Sequence, residues 1–243
     1  MIKISRSIVP NFFTVGNMFS GFLSVIVVIS NRDLALASWL IVLAAFLDAM
    51  DGKVARFTKT SSRFGVEYDS LADVVSFGLA PSILIYAFYF SAWKTVGIFI
   101  SFFPLLFGSI RLARFNIQLT GLNKSAFSGL PSPAAAILLA TYIIFISKYF
   151  PGNVFPKILL LLTFVTSTLM ISTLNYNVLP NLTFKGDTKQ KVLLILLIVA
   201  VTSLFFFPQA LFFPYCVIYM LSGVFGYLFG KSSNENRKTK KEE

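Results

Sequence analysis

The chain has 243 residues, a net charge of +11 and a mean hydropathy of +0.77; 56% of its residues are hydrophobic and only 13% charged. Soluble proteins carry about 25% charged residues, so the composition points to a polytopic membrane protein. The absence of histidine and the single cysteine, Cys216, exclude His-based catalytic triads, His- or Cys-cluster metal sites and an internal disulfide.

No cleavable signal is expected, because the first eleven residues are polar and the apolar run after them is too long for a signal core. Eight spans are predicted, at Phe12–Ile29, Leu34–Lys53, Glu67–Phe90, Trp93–Phe115, Pro131–Ile146, Val154–Leu174, Val192–Phe207 and Leu211–Phe229. The expected fold is therefore an all-α integral membrane bundle. Residues 1–230 form one membrane domain, and 231–243 a charged, disordered tail. The fifth and seventh spans are the shortest, which suits tilted or re-entrant segments. Pro81 and Pro104 are expected to kink their helices. Asn11 and Thr14, at the start of the first span, are placed to cap it. Asn17 and Gly21 lie one turn apart and suit either a groove or close helix packing.

The next informative stretch runs from Asp48 to Asp73 and reads D-x2-D-G-x2-A-R-x8-G-x3-D-x3-D. Its four spaced aspartates are four of the ten acidic residues of the chain, between apolar flanks. An aspartate at a bilayer centre costs roughly 2.5–3.5 kcal/mol on insertion scales, so several together require a cation. Asp48 and Asp51 are three apart, and Asp69 and Asp73 four apart, so each pair shares a helical face. A short polar linker would let the two helices lie side by side as a hairpin. The four carboxylates then suit hard divalent cations, Mg2+ or Mn2+. Two such ions about 3.5–4 Å apart would clamp a phosphoryl displacement. Gly52 leaves room for a ligand beside the carboxylates, and Arg56 offers a planar cation for phosphate oxygens. Thr58, Lys59, Ser61, Ser62 and Arg63 add hydroxyls and cations to the linker. Salt bridging to basic loop residues is the plain structural alternative.

Further on, G-S-I-R-L-A-R-F-N at Gly108–Asn116 sets Arg111 and Arg114 on one helical face, with Asn116 beyond. Anchoring at the membrane surface would explain basic residues there. Two arginines a turn inside an apolar helix suit a ligand better, and a carboxylate matches the guanidinium fork. Phe127–Ala136 reads F-S-G-L-P-S-P-A-A-A, a loop-to-helix entry in which Ser132 is a candidate substrate contact. The last four spans carry no acidic residue and read as packing and lipid-facing helices, with Cys216 among them as packing.

Topology follows from the distribution of positive charge. With a cytoplasmic N-terminus, seventeen Lys and Arg fall on the cytoplasmic side, leaving Arg32, Lys94, Lys148 and Lys157 outside. Both termini and the aspartates would then face the cytoplasm. This pattern of loops and tail fits anionic lipid as the partner, not nucleic acid.

The Asp48–Asp73 signature is similar to that of the CDP-alcohol phosphatidyltransferases, with every fixed position filled. R-L-A-R-F-N followed by G-L-P-S-P resembles the phosphatidylserine synthase branch of that family; the likeness covers about residues 8–136. The resemblance implies transfer of a phosphatidyl group from CDP-diacylglycerol to an alcohol with release of CMP, L-serine as the alcohol, and a homodimer. It implies donor contacts from the segment of Asn11 and Thr14, and from Ser62, six residues after the motif arginine. The reaction expected is direct in-line attack. Asp48, Asp51, Asp69 and Asp73 hold metal, Asp73 also takes the hydroxyl proton, Gly52, Arg56 and Ser62 serve the donor, and Arg111, Arg114 and Asn116 serve serine. Two alternatives stand beside this reading. One is glycerol 3-phosphate or inositol phosphate as acceptor; the other is an ion-coupled transporter, in which D-G-x2-A-R has no purpose.

Overall fold

A computed structural model describes residues 8–58, 63–119, 129–174, 176 and 188–242, and among them all regular structure is helical. The elements are α1 (Ile8–Ser30), α2 (Leu34–Thr58), α3 (Arg63–Asp73), a π-helical turn (Val74–Leu79), α4 (Ala80–Phe88), a 3-10 turn (Phe90–Trp93), α5 (Lys94–Ser101), α6 (Phe103–Leu119), α7 (Ser132–Tyr149), α8 (Pro156–Ile171), α9 (Thr188–Phe206) and α10 (Pro208–Glu242).

Six helical stretches are long and apolar enough to cross a membrane: Phe12–Ser30, Leu34–Val54, Phe64–Phe88, Phe90–Ile117, Ser132–Tyr149 and Pro208–Gly226. Pro156–Ile171 and Ile195–Phe206 are shorter apolar helices, so each of the eight expected spans has a counterpart. The short pair differs from expectation. The fifth span reaches Tyr149, while the sixth is cut to Pro156–Ile171 by a turn with Gly152 at φ 79° and by extended backbone at Ser172. Helix α10 runs from Pro208 to Glu242, and no Gly or Pro follows Gly230.

Helix α1 explains how the bundle is organised. Thr14, Asn17, Gly21, Ser24 and Val28 form a buried stripe at alternating spacings of three and four, while Phe12, Phe19, Phe22, Ile26 and Ile29 stay exposed on another face. Polar atoms inside and phenylalanine outside is the reverse of a soluble helix, and fits a lipid surround. Hydrogen bonds tie the inner stripe to its neighbours. Ser24 donates to the Ala37 carbonyl at 2.8 Å, and Ser76 donates to the Asn17 carbonyl at 2.9 Å. Gly21 lets the π turn approach, since a Cβ there would lie 2.6 Å from the Ser76 Cα. Apolar packing by Ile41, Phe77, Leu84, Leu139, Tyr142 and Ile143 then joins α2, α4 and α7 in one core.

The two prolines act as expected. Pro81 has no N–H for the Phe77 carbonyl, and the π turn lies immediately before and around that break. Pro104 follows the turn at Phe102 that divides α5 from α6; there the Leu105 N–H donates to Ser82 Oγ at 3.2 Å.

The Asp48–Asp73 hairpin is corrected in one respect. Helices α2 and α3 are not close packing neighbours among the described residues; α1 packs on both and on the π turn, so it supplies the third wall of the site.

Candidate active site

Asp48 and Asp51 lie in the C-terminal half of α2, and Asp69 and Asp73 close α3 just before the π turn. One carboxylate oxygen from each of Asp48, Asp69 and Asp73 falls within 4.8 Å of the others. At that separation each pair of full charges repels by on the order of 3 kcal/mol at an effective dielectric near 20. Asp73 is only 8% exposed. Arg111 lies close enough to interact with Asp73, and among the described residues that one cation does not balance three carboxylates.

Asp51 stands at the edge of this group. It is near enough to interact with Asp48 and Asp69, but its Oδ2 accepts a hydrogen bond from the Thr14 hydroxyl. Asp51 Oδ1 and Asp69 Oδ1 are buried with no hydrogen-bond partner among the described residues. Buried acceptors normally have a donor, so an all-oxygen set with orphaned carboxylate atoms fits a hard divalent cation. Asn17 donates its Nδ2 to Asp73 Oδ1 at 3.2 Å, leaving its own Oδ1 buried and unpartnered among the described residues.

Thr14 and Asn11 do not cap α1, because the helix starts at Ile8 and carries both inside it. Thr14 reaches the site through Asp51, and the Asn11 side chain lies outside the described residues. Gly52 is exposed beside Asp51, and a Cβ built on it meets nothing within 4 Å. Arg56 continues the helical backbone of α2 with its side chain undescribed, and Ser62 is outside the described residues.

The expected acceptor residues separate. Arg111 turns inward and donates from Nη1 to Ser132 Oγ at 2.9 Å, with its Nε buried and unpartnered among the described residues. Arg114 is exposed; three residues turn a helix by about 300°, which leaves the two side chains some 60° apart. Asn116 faces α3, donating to Glu67 Oε2 and accepting from Ser70 Oγ, both at 3.1 Å. It ties α6 to α3. Ser132 is 1% exposed and supports Arg111. It sits there because Gly129 (φ 61°) and Leu130 donate backbone N–H groups to the Leu174 and Leu169 carbonyls, each at 2.9 Å, docking the loop on the end of α8.

A sequence model of the CDP-alcohol phosphatidyltransferases matches residues 7–169. The chain belongs to the CDP-alcohol phosphatidyltransferase family. A Helicobacter pylori protein named CDP-diacylglycerol–serine O-phosphatidyltransferase is 36% identical over 222 residues, 90% of this chain and 91% of that protein. A Methanocaldococcus jannaschii protein of the same name is 34% identical over 232 residues, covering 95% of this chain and all of that one. An archaetidylserine synthase of Methanothermobacter thermautotrophicus is 37% identical over 169 residues, 69% of this chain and 68% of its own length.

Within this phosphatidyltransferase, three partners escaped the spacing argument. Asn17 carried a signal, as an amide inside an apolar helix, but nothing named Asp73 as its target. Thr14 suited a helix cap and, by resemblance, a donor contact, and nothing named Asp51 as its partner. Ser132 could be placed only once the docking of residues 129–131 was known.

Proposed function

We propose that this protein transfers the phosphatidyl group of CDP-diacylglycerol to the hydroxyl of L-serine, giving phosphatidylserine and CMP. The observation that carries the reading is the meeting of Asp48, Asp69 and Asp73 in a chain similar over nine-tenths of its length to a serine O-phosphatidyltransferase. Mg2+ or Mn2+, with two ions preferred, would be held by Asp48, Asp69 and Asp73, with Asp51 completing the set. When bound, the metal neutralises the diphosphate and the departing CMP.

The chain's own residues then divide the work. Asp73 takes the serine hydroxyl proton as the oxygen attacks phosphorus, because a carboxylate is too weak a base to remove it beforehand. Asn17 fixes the Asp73 carboxylate by its 3.2 Å hydrogen bond. Serine carries its hydroxyl and carboxylate on adjacent carbons, so the base and the carboxylate contact must be neighbours, as Asp73 and Arg111 are. Arg56 and Ser62 steady the donor phosphates, while Arg114 contributes positive charge at the entrance and Asn116 holds α6 to α3. The membrane domain spans residues 1–230 in the cell membrane, with the aspartates and both termini cytoplasmic, surrounded by lipid and paired as a homodimer.

The test is CMP release by purified protein with CDP-diacylglycerol and Mn2+, over L-serine, glycerol 3-phosphate and inositol phosphate. Serine-dependent release is expected; release only with a phosphorylated acceptor would reassign Arg111, and no release with any acceptor would remove the transferase reading. Gly52→Ala adds a sharper check. The open space at Gly52 accepts a methyl, and alanine in a helix is favoured by about 0.5–1 kcal/mol. The variant should melt no lower than wild type. Its KM for CDP-diacylglycerol should rise about tenfold, the equivalent of 1.4 kcal/mol lost on donor approach. An unchanged KM would show that the donor does not pass Gly52.

A further inference from the structure

Arg111 is half finished as a binding residue. Its Nη1 is anchored on Ser132, while its Nε is buried with no partner among the described residues. A buried, unpaired guanidinium N–H is costly unless a ligand completes it. The neighbour that shares this space comes from α10, beyond residues 7–169 and far from every motif in the sequence. It is Tyr219, whose phenol lies close enough to the Arg111 guanidinium to interact with its charge. The Tyr219 side chain is 38% exposed, and its hydroxyl makes no hydrogen bond among the described residues.

The phenol is also braced. The rings of Tyr176 and Tyr219 are 5.7 Å apart, centre to centre. The Tyr176 hydroxyl donates to the Met220 carbonyl at 3.1 Å, within the same turn of α10. Burial pushes the Tyr176 phenol up to about 12, so it keeps the proton it donates. Gly223 makes room, since a Cβ there would lie 2.2 Å from the Tyr176 ring. An aromatic residue braced in this way, within interaction range of an arginine whose Nε is buried without a partner among the described residues and which itself interacts with Asp73, is arranged to meet a small anionic ligand.

We propose that Tyr219 is a specificity-determining contact of the acceptor site, its hydroxyl donating to the carboxylate of the amino-acid acceptor beside Arg111. This rests on the serine-transfer reading above. Tyr176 is then a positioning residue, acting through α10 on Tyr219.

Steady-state CMP release by the full-length protein with Mn2+ tests this, with L-serine and CDP-diacylglycerol varied in turn. Tyr219→Phe should raise KM for L-serine by about tenfold or more, as expected for a hydrogen bond to a charged group. KM for CDP-diacylglycerol and kcat should stay within twofold of wild type. Tyr176→Phe should give a smaller rise in the serine KM alone. An unchanged serine KM in Tyr219→Phe overturns the proposal and leaves serine transfer standing. A parallel rise in both KM values, or loss of the melting transition, makes the phenol structural and overturns it too. If wild type releases CMP only with glycerol 3-phosphate or inositol phosphate, the transfer reading itself falls, and this contact with it.

Discussion

Asp73→Asn is expected to cut serine-dependent CMP release by about 10³-fold or more, within the range that a positioned general base supplies, while the protein melts no lower than wild type. Two features make the outcomes diverge. Asp73 is 8% exposed, bonded to Asn17 and clustered with Asp48 and Asp69, so it carries charge where charge is costly. Asparagine keeps the shape and still accepts from Asn17, but it removes one of three mutually repelling carboxylates. A site assembled for catalysis against its own electrostatics should relax when that charge is deleted. The measurement is a pair: CMP release with saturating serine, and thermal melting in detergent without divalent cation. Retained turnover would move the base elsewhere in the site. A sharp fall in melting temperature would show that the Asp73 charge is satisfied by the fold, with no ligand needed.

What could be read in advance follows from the range over which each interaction acts. Spacing along a helix is local, so the faces shared by Asp48 with Asp51 and by Asp69 with Asp73 were legible, as were the breaks near Pro81 and Pro104. The approach of Asp48 to Asp69 and Asp73 also followed, because membrane carboxylates have few other ways to be satisfied. The third wall was not legible. Gly21 and Asn17 of α1 meet Ser76 and Asp73, more than fifty residues away, and nothing local in α1 specifies that register. The same holds for Asn116, whose place beyond two arginines suggested a shared ligand. The helix turns it instead toward Glu67 and Ser70. Ser132 and Tyr219 depend on how α7 and α10 dock, and docking is written in shape across the bundle, with no motif to mark it. The separation is physical: periodicity reports which way a side chain leaves its helix, and only packing reports what it meets.

Removal of divalent cations is expected to abolish CMP release and also to lower the melting temperature of the wild-type protein, and the second effect locates the ion. Three carboxylates within 4.8 Å, with oxygens on Asp51 and Asp69 that are buried and unpartnered among the described residues, form a set that a bound cation would relieve. A ligand that binds the folded state and not the unfolded one stabilises by about 2.7 kcal/mol at one hundred times its Kd. For a chain of this size that is a shift of roughly 5–10 °C. Asp48→Asn and Asp69→Asn each remove one member of the cluster, so each should melt higher than wild type in chelator and respond less to Mn2+. The crossing of the two trends is the diagnostic. If Mn2+ raised the melting temperature of wild type and both variants equally, the ion would be bound elsewhere. Asp48 and Asp69 would then need another source of positive charge, and the basic segment from Lys53 to Arg63 would be the place to seek it.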